Sequence, residues 1–302
     1  MRHIKDGRST AMKKKRQKAR PSTTSPAEDR VAPKKRLELY REPSSGVPRL
    51  RFVESVFTEA YQNSLALASA HTALEILEGV REEARLLTLG QKLLGAMSEL
   101  ASRWIELGTA GRIACSDGCA YCCHQVVGAT PLEVFVIWKH LEQTGQDLTR
   151  LRERARELVE RAQGLSARER YSPHHPCVFL EDSRCSIYEA RPLTCRGVNA
   201  LERDVCRDML EDEARRRAFW EKGEGSPGYV EPLRGAHALS AGLQLALSEL
   251  YGLDMHPVDL TLAIGRLLED PEQISRWQRG ESPFVEVRSG GGDKAGPSEP
   301  GS

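Results

Sequence analysis

The chain has 302 residues, 39% of them apolar, and a formal net charge of +1. That length allows one large domain or two ordinary ones. No apolar run reaches the ~18–20 residues that span a bilayer, so no transmembrane helix is expected.

The net charge conceals an asymmetry: residues 1–36 carry about +10 and the remainder about −9. The N-terminal stretch is poor in large apolar side chains and lacks the apolar core of a secretory signal. A basic run such as Lys13-Lys14-Lys15-Arg16 could meet nucleic acid or an acidic partner. No aromatic side chains interleave it, so a solubilising tail is the preferred reading. Residues 1–48 and the Gly-, Pro- and Ser-rich 287–302 are expected to be disordered, because neither can bury enough apolar surface to offset the entropy of ordering. Residues 49–286 are left as a helical domain, with no membrane partner and a cytoplasmic setting.

Within that domain the spacing predicts helices nearly throughout. From Phe52 to Leu107 apolar residues recur at three- and four-residue steps, with Leu65, Leu67, Leu74 and Leu77 in one set and Leu86, Leu89, Leu93 and Trp104 in a second, and both sets read as core packing. Gly79, Gly90 and Gly95 are expected to divide the stretch into two or more segments. Thr130-Pro131-Leu132-Glu133 is a helix start, with Thr130 as cap, Pro131 in the first turn and Glu133 completing a capping box. That helix is predicted to reach Gln143 and to bury Val134, Ile137, Trp138 and Leu141. Leu148–Gln163, Arg203–Phe219, Ala238–Tyr251 and Pro257–Leu268 read as further helices. Strand signals are confined to Cys177-Val-Phe-Leu180 and Cys185-Ser-Ile-Tyr188, a candidate hairpin across Glu181-Asp-Ser-Arg184. The expected fold is mainly α: an irregular helical domain organised around a cysteine-ligated metal centre, with at most a short β-hairpin.

The chemistry lies in eight cysteines. Cys115, Cys119, Cys122 and Cys123 fall within nine residues, and Cys177, Cys185, Cys195 and Cys206 follow. In a reducing compartment such density points to metal ligation rather than disulfides. Cys119 and Cys122 have the spacing by which one loop wraps a single ion. Cys123 does not fit that loop, because adjacent side chains diverge. Cys122 and Cys123 therefore serve two centres, or one bridges, or one is a spectator. Eight thiolates suffice for two Cys₄ zinc sites, or for an iron–sulfur cluster with a spare set. An all-thiolate site is anionic, and Arg191 and Arg196 beside Cys195 are candidate groups to balance it. His124, His174 and His175 lie near cysteines in sequence and could supply a nitrogen ligand or a base, though surface positions are the simpler reading.

Two resemblances bear on these residues. Cys115-x3-Cys119-x-Tyr121-Cys122 is similar over eight residues to the cluster motif of radical S-adenosylmethionine enzymes. Those enzymes build their site on a β/α barrel, which the strand-poor sequence after Cys123 does not supply. The wider pattern covers residues 113–208. It comprises Cys115–Cys123, Thr130-Pro131, Cys177-Val-Phe-Leu180, Cys185-Ser-Ile-Tyr188-Glu-Ala-Arg191-Pro192-Leu-Thr-Cys195-Arg196 and Cys206. It resembles the bacterial cysteine-cluster family of zinc- or iron-chelating (YkgJ-like) domains. The resemblance implies a metal-binding protein that holds zinc or iron, an iron–sulfur cluster included, through the eight cysteines. The family is in turn similar to flagellin lysine N-methylases. This implies an alternative, S-adenosylmethionine-dependent lysine methyl transfer or radical chemistry on a cluster. No Gly-rich strand–turn–helix announces a conventional site for that cofactor.

Overall fold

The computed structural model describes residues 37–41, 48–52, 57–109, 113–116, 118–222 and 228–289. The basic run and the C-terminal residues from 290 lie outside the described residues. At the start of the described chain, β1 (Leu37–Arg41) pairs antiparallel with β2 (Pro48–Phe52). This pairing was not anticipated in the sequence.

α1 (Glu59–Leu77) starts at Thr58, whose hydroxyl accepts the Tyr61 N–H, and ends at Glu78 and Gly79, both with positive φ. α2 (Glu83–Thr109) runs through Gly90 and Gly95 unbroken, so of the three glycines only Gly79 ends a helix. Gly90 is a packing residue: a Cβ there would lie 2.3 Å from Val136 Cγ2. The buried stripe of α1 is Leu65, Ser69, Ala73 and Leu77, each four residues from the last. Leu67 and Leu74, read from the sequence as core, are 62% and 40% exposed. α1 packs mainly against α9 (Glu231–Tyr251) and also against α2, where the Trp104 indole N–H donates to the Tyr61 hydroxyl. The α1 and α9 backbones approach so closely that a Cβ at Gly242 would stand 1.8 Å from Ala66 O. Buried Ser69 donates across the same crossing to Leu239 O at 2.8 Å.

α3 (Pro131–Thr144) begins as predicted, with the Thr130–Glu133 capping box formed in full. Its buried set is wider than expected: Leu132, Phe135 and Val136 join Val134, Ile137, Trp138 and Leu141. A helix buried around its circumference carries little periodicity, which is why the run Val134–Trp138 under-reported its own burial. α4 (Leu148–Ala162) is capped by Asp147, and a short α5 (Ala167–Arg170) follows. α6 (Leu193–Gly197) carries Cys195, and α7 (Arg203–Glu211) carries Cys206. The helix expected over Arg203–Phe219 is two, because Asp212 leaves helical geometry and caps α8 (Glu213–Lys222) by accepting the Ala214 and Arg215 N–H groups. α9 begins seven residues before the predicted start, with Pro232 in its first turn.

α10 (Leu260–Glu269) starts at the cap Asp259 rather than at Pro257. The intervening Val258–Asp259 pairs instead with Gly128–Ala129. α11 (Glu272–Gln278) had no sequence signal strong enough to place it. It contributes Trp277, fully buried, with its indole N–H donated to Asp254 O at 2.7 Å. The predicted hairpin shrinks to Leu180–Glu181 against Arg184–Cys185, turning on Asp182 and Ser183, both at positive φ. The mainly helical class is as expected, and strands among the described residues occur only in short antiparallel pairs. No helix among the described residues is long and apolar enough to cross a membrane.

The main core joins α1, α2, α3, α4, α9, α10 and α11, and the half-buried Cys177 and Cys185 pack against its edge. Glu133 fastens that edge. One of its oxygens accepts from Thr130 N and Oγ1 at 2.6 and 2.8 Å, and the other accepts Leu193 N–H at 2.7 Å.

Gly242→Val should force α1 from α9 and destabilise the protein by about 3 kcal/mol in urea unfolding. Gly95→Ala meets nothing within 4 Å and should stabilise it by up to about 1 kcal/mol. Burial raises the Glu133 carboxyl above its ordinary 4.5, so its contribution to stability is greatest below that value and is lost as pH rises through the raised one. Glu133→Gln keeps a single acceptor oxygen and so leaves either the Thr130 or the Leu193 N–H without one, and its stability deficit against wild type should shrink from acid toward neutral pH.

Candidate metal centre

The first cysteine segment is shaped by backbone bonds. Ala114 N–H donates to Ala200 O at 2.8 Å, and Ala200 N–H returns to Cys115 Sγ at 3.3 Å. Cys119 N–H closes a turn onto Ser116 O, with Gly118 at φ +77 supplying the left-handed residue. Tyr121–His124 then form a single 3₁₀ turn. In such a turn adjacent side chains diverge, yet Cys122 and Cys123 line the same cavity, and the Cys123 thiol raises that of Cys122.

The second segment is tied directly to the first. Cys177 N–H donates to Cys123 O at 2.6 Å. Cys177 and Cys185 have the same local arrangement: the backbone N–H two residues on, of Phe179 and of Ile187, lowers each thiol against the effect of burial. Such donors favour the thiolate form that metals require. Ser186 N–H bonds Phe179 O at 2.9 Å and joins the two loops. Cys195 is set by α6, whose first N–H is the one held by Glu133. Cys206 is set by α7, which packs on the 3₁₀ turn, with Arg203 lying 5.7 Å over the Tyr121 ring.

Six of the eight predicted ligands line one cavity of about 130 Å³: Cys119, Cys122, Cys123, Cys177, Cys185 and Cys195. Cys115 and Cys206 are not among its lining residues, and both stand near Cys119 and Cys122. All eight are free, half-buried thiols. They share a neighbourhood rather than a point: among the described residues, no three Cys, His, Asp or Glu side chains are arranged to hold one ion. The donor chemistry nevertheless fits the softer end of the metal series, where thiolates select zinc and iron over magnesium or calcium.

Burial dominates the acidity of these thiols. It pushes Cys177 and Cys206 up to about 12 and raises Cys115, Cys185 and Cys195. Cys122 is raised chiefly by the adjacent Cys123 thiol and then by burial. The opposing influence is Arg191, whose charge lowers Cys115, Cys122, Cys185 and Cys195. Its guanidinium lines the cavity, stacks 4.0 Å from the Tyr188 ring, and has a buried Nε without a hydrogen-bond partner.

Arg196, paired with Arg191 in the sequence reading, has a different place. It is buried, and its guanidinium donates to Arg191 O at 2.9 Å, to Glu189 O and to Ser98 Oγ. It braces the loop before Cys195 and is not among the residues lining the cavity. None of the three histidines lines the cavity either. His124 is lowered by burial and keeps a buried Nδ1 without a partner, while the His175 ring spans Ser172 Oγ and Arg161 O. Sequence reasoning missed Arg154, on α4, which donates to Cys177 O and Leu180 O and lowers the Cys177 thiol. An arginine on a highly charged helix carries no local signal of that role.

Residues 114–215 match the family model CxxCxxCC, described as "Putative zinc- or iron-chelating domain". The matched segment spans all eight cysteines, and the YkgJ-like resemblance is consistent with it. Comparison with curated proteins and with solved structures gives no match.

Replacing Arg191 by Gln should raise the thiols it now lowers. In metal-free protein the pH profile of thiol alkylation is expected to move to higher pH, whereas Arg191→Lys should largely preserve it.

Proposed function

We propose that this protein binds zinc or iron through cysteine thiolates, and that the bound metal ties the 115–123 segment to the 177–206 segment. The observation that carries the reading is the cavity itself. Thiols from both segments line it together with Arg184 and Arg191, and the buried Nε of Arg191 has no hydrogen-bond partner. A thiolate-bound centre would set negative charge beside the Arg191 guanidinium. Four-thiolate sites are closed to substrate, so the role that follows is structural and the metal contributes to folding. An iron–sulfur cluster uses the same ligands and remains within the proposal. Eight free thiols suit a reducing compartment, and the cytoplasm is the setting we assign.

The methyl-transfer and radical alternatives gain no support from the architecture. Strands among the described residues pair only antiparallel, whereas both cofactor folds are built from parallel strand–helix units.

Stripping the metal with a chelator should lower Tm by about 10 °C, the effect of losing roughly 4 kcal/mol of binding free energy in a domain of this size. An unchanged Tm in verified metal-free protein would contradict the proposal. Anaerobic purification with elemental analysis and acid-labile sulfide determination separates zinc from an iron–sulfur cluster.

A further inference from the structure

We propose that the protein forms a two-fold homodimer through the open face of the α1–α9 pair, with α9 of one protomer laid antiparallel along α9 of the other.

The face follows from how the two helices pack. They run parallel. Trp104, bonded to Tyr61 near the start of α1, stands against Gly235 near the start of α9. Ala66 meets Gly242 midway, and Gly79, just past α1, donates its N–H to the Tyr251 hydroxyl at the end of α9. The core covers one side of the pair, where Leu65 of α1 and Leu243 and Leu247 of α9 are buried. The helices touch through Ala66 and Ser69 on one and Leu239 and Gly242 on the other. For parallel helices joined there, helical geometry turns Leu67 and Leu74 to the same side as Ala241 and Leu245, opposite the core. Leu67 and Leu245 are 62% and 63% exposed. Leu67 and Leu74 thus keep the spacing of a buried stripe on a surface that faces solvent, which marks an interaction site.

Charge and size along α9 choose the occupant. Arg234 and Glu249 are exposed toward opposite ends of this side, and neither has an ion-pair partner among the described residues. Between them lie the small Ala238, which is buried, the exposed Ala241 and the projecting Leu245. A two-fold axis at the Ala241–Gly242 peptide sets Arg234 opposite Glu249 of the partner subunit. The same axis sets Leu245 opposite the recessed Ala238 of the partner subunit. Each charge meets its opposite and each large side chain a small one, twice over by symmetry. Arg234 is the only Lys or Arg in either helix, so an antiparallel α9 pairing is the arrangement that gives Glu249 a cation. Ala66 stands against Gly242, so Leu67 lies level with the axis, and the α1 leucines of two copies close the seam beside α9.

The test is the mass of the purified full chain by sedimentation from about 1 to about 200 μM, combined with charge reversal. Wild type is expected at twice the chain mass at the upper end. Leu245→Glu buries a charge in the seam and should leave a monomer with unchanged circular dichroism, because the position is exposed in the single chain. Arg234→Glu and Glu249→Arg should each weaken dimerisation about tenfold, and the double reversal should restore it. A wild-type monomer throughout the range overturns the proposal, whatever other molecule the face then binds. A dimer that Leu245→Glu leaves intact overturns it as well, and so does a double reversal that fails to restore what the single ones lose. Wild-type mass and the charge reversals decide the matter even where Leu245→Glu fails to fold.

Discussion

The carboxylate of Glu133 sits fully inside the protein at the start of α3, and each of its oxygens is engaged. One completes the helix cap with Thr130, and the other accepts the first N–H of α6, the helix that carries Cys195. Burying a carboxylate is costly, as its raised pKa records. Hydrogen bonds from two separate segments offset that cost only when α3 and α6 are in register. The local cap and the placement of Cys195 therefore stand or fall together. Arg196 reinforces the arrangement from the other side, donating to two carbonyls of its own loop and to Ser98 of α2.

This rigid frame surrounds an electrostatic conflict. Burial favours neutral thiols, whereas the N–H donors at Cys115, Cys177 and Cys185 and the charge of Arg191 favour thiolates. On the proposed function, a cation in the cavity would resolve the conflict, replacing thiol protons with metal–sulfur bonds and setting an anionic centre before Arg191. The match of residues 114–215 to a zinc- or iron-chelating domain agrees with that reading. The helices on either side, α1, α2 and α9 to α11, build most of the core against which this segment is held.

Much of this was legible in the chain because its causes are local. The Thr130–Glu133 cap and the Asp182-Ser183 turn depend on neighbours within a few residues. The helical class followed from periodicity. The failures have one origin. Gly90 was read as a break because its partner Val136 lies in another helix. Leu67 and Leu74 were read as core because periodicity cannot tell which stripe of a helix meets a neighbour. Trp277 and Arg154 went unread because their roles exist only against Asp254 and the Cys177 loop.

The sequence by itself determined the donor chemistry and the order of its parts. Eight thiols in two groups, a vicinal pair and an adjacent arginine define which ions can be held, because ligand softness is a property of residue type. Only the tertiary structure decided how those donors associate. It brought Cys123 against Cys177, set Cys206 beside Cys115 and Cys119, turned Arg191 into the cavity and Arg196 into the loop. Those pairings join residues tens of positions apart, and their partners are selected by helix packing that no local pattern encodes.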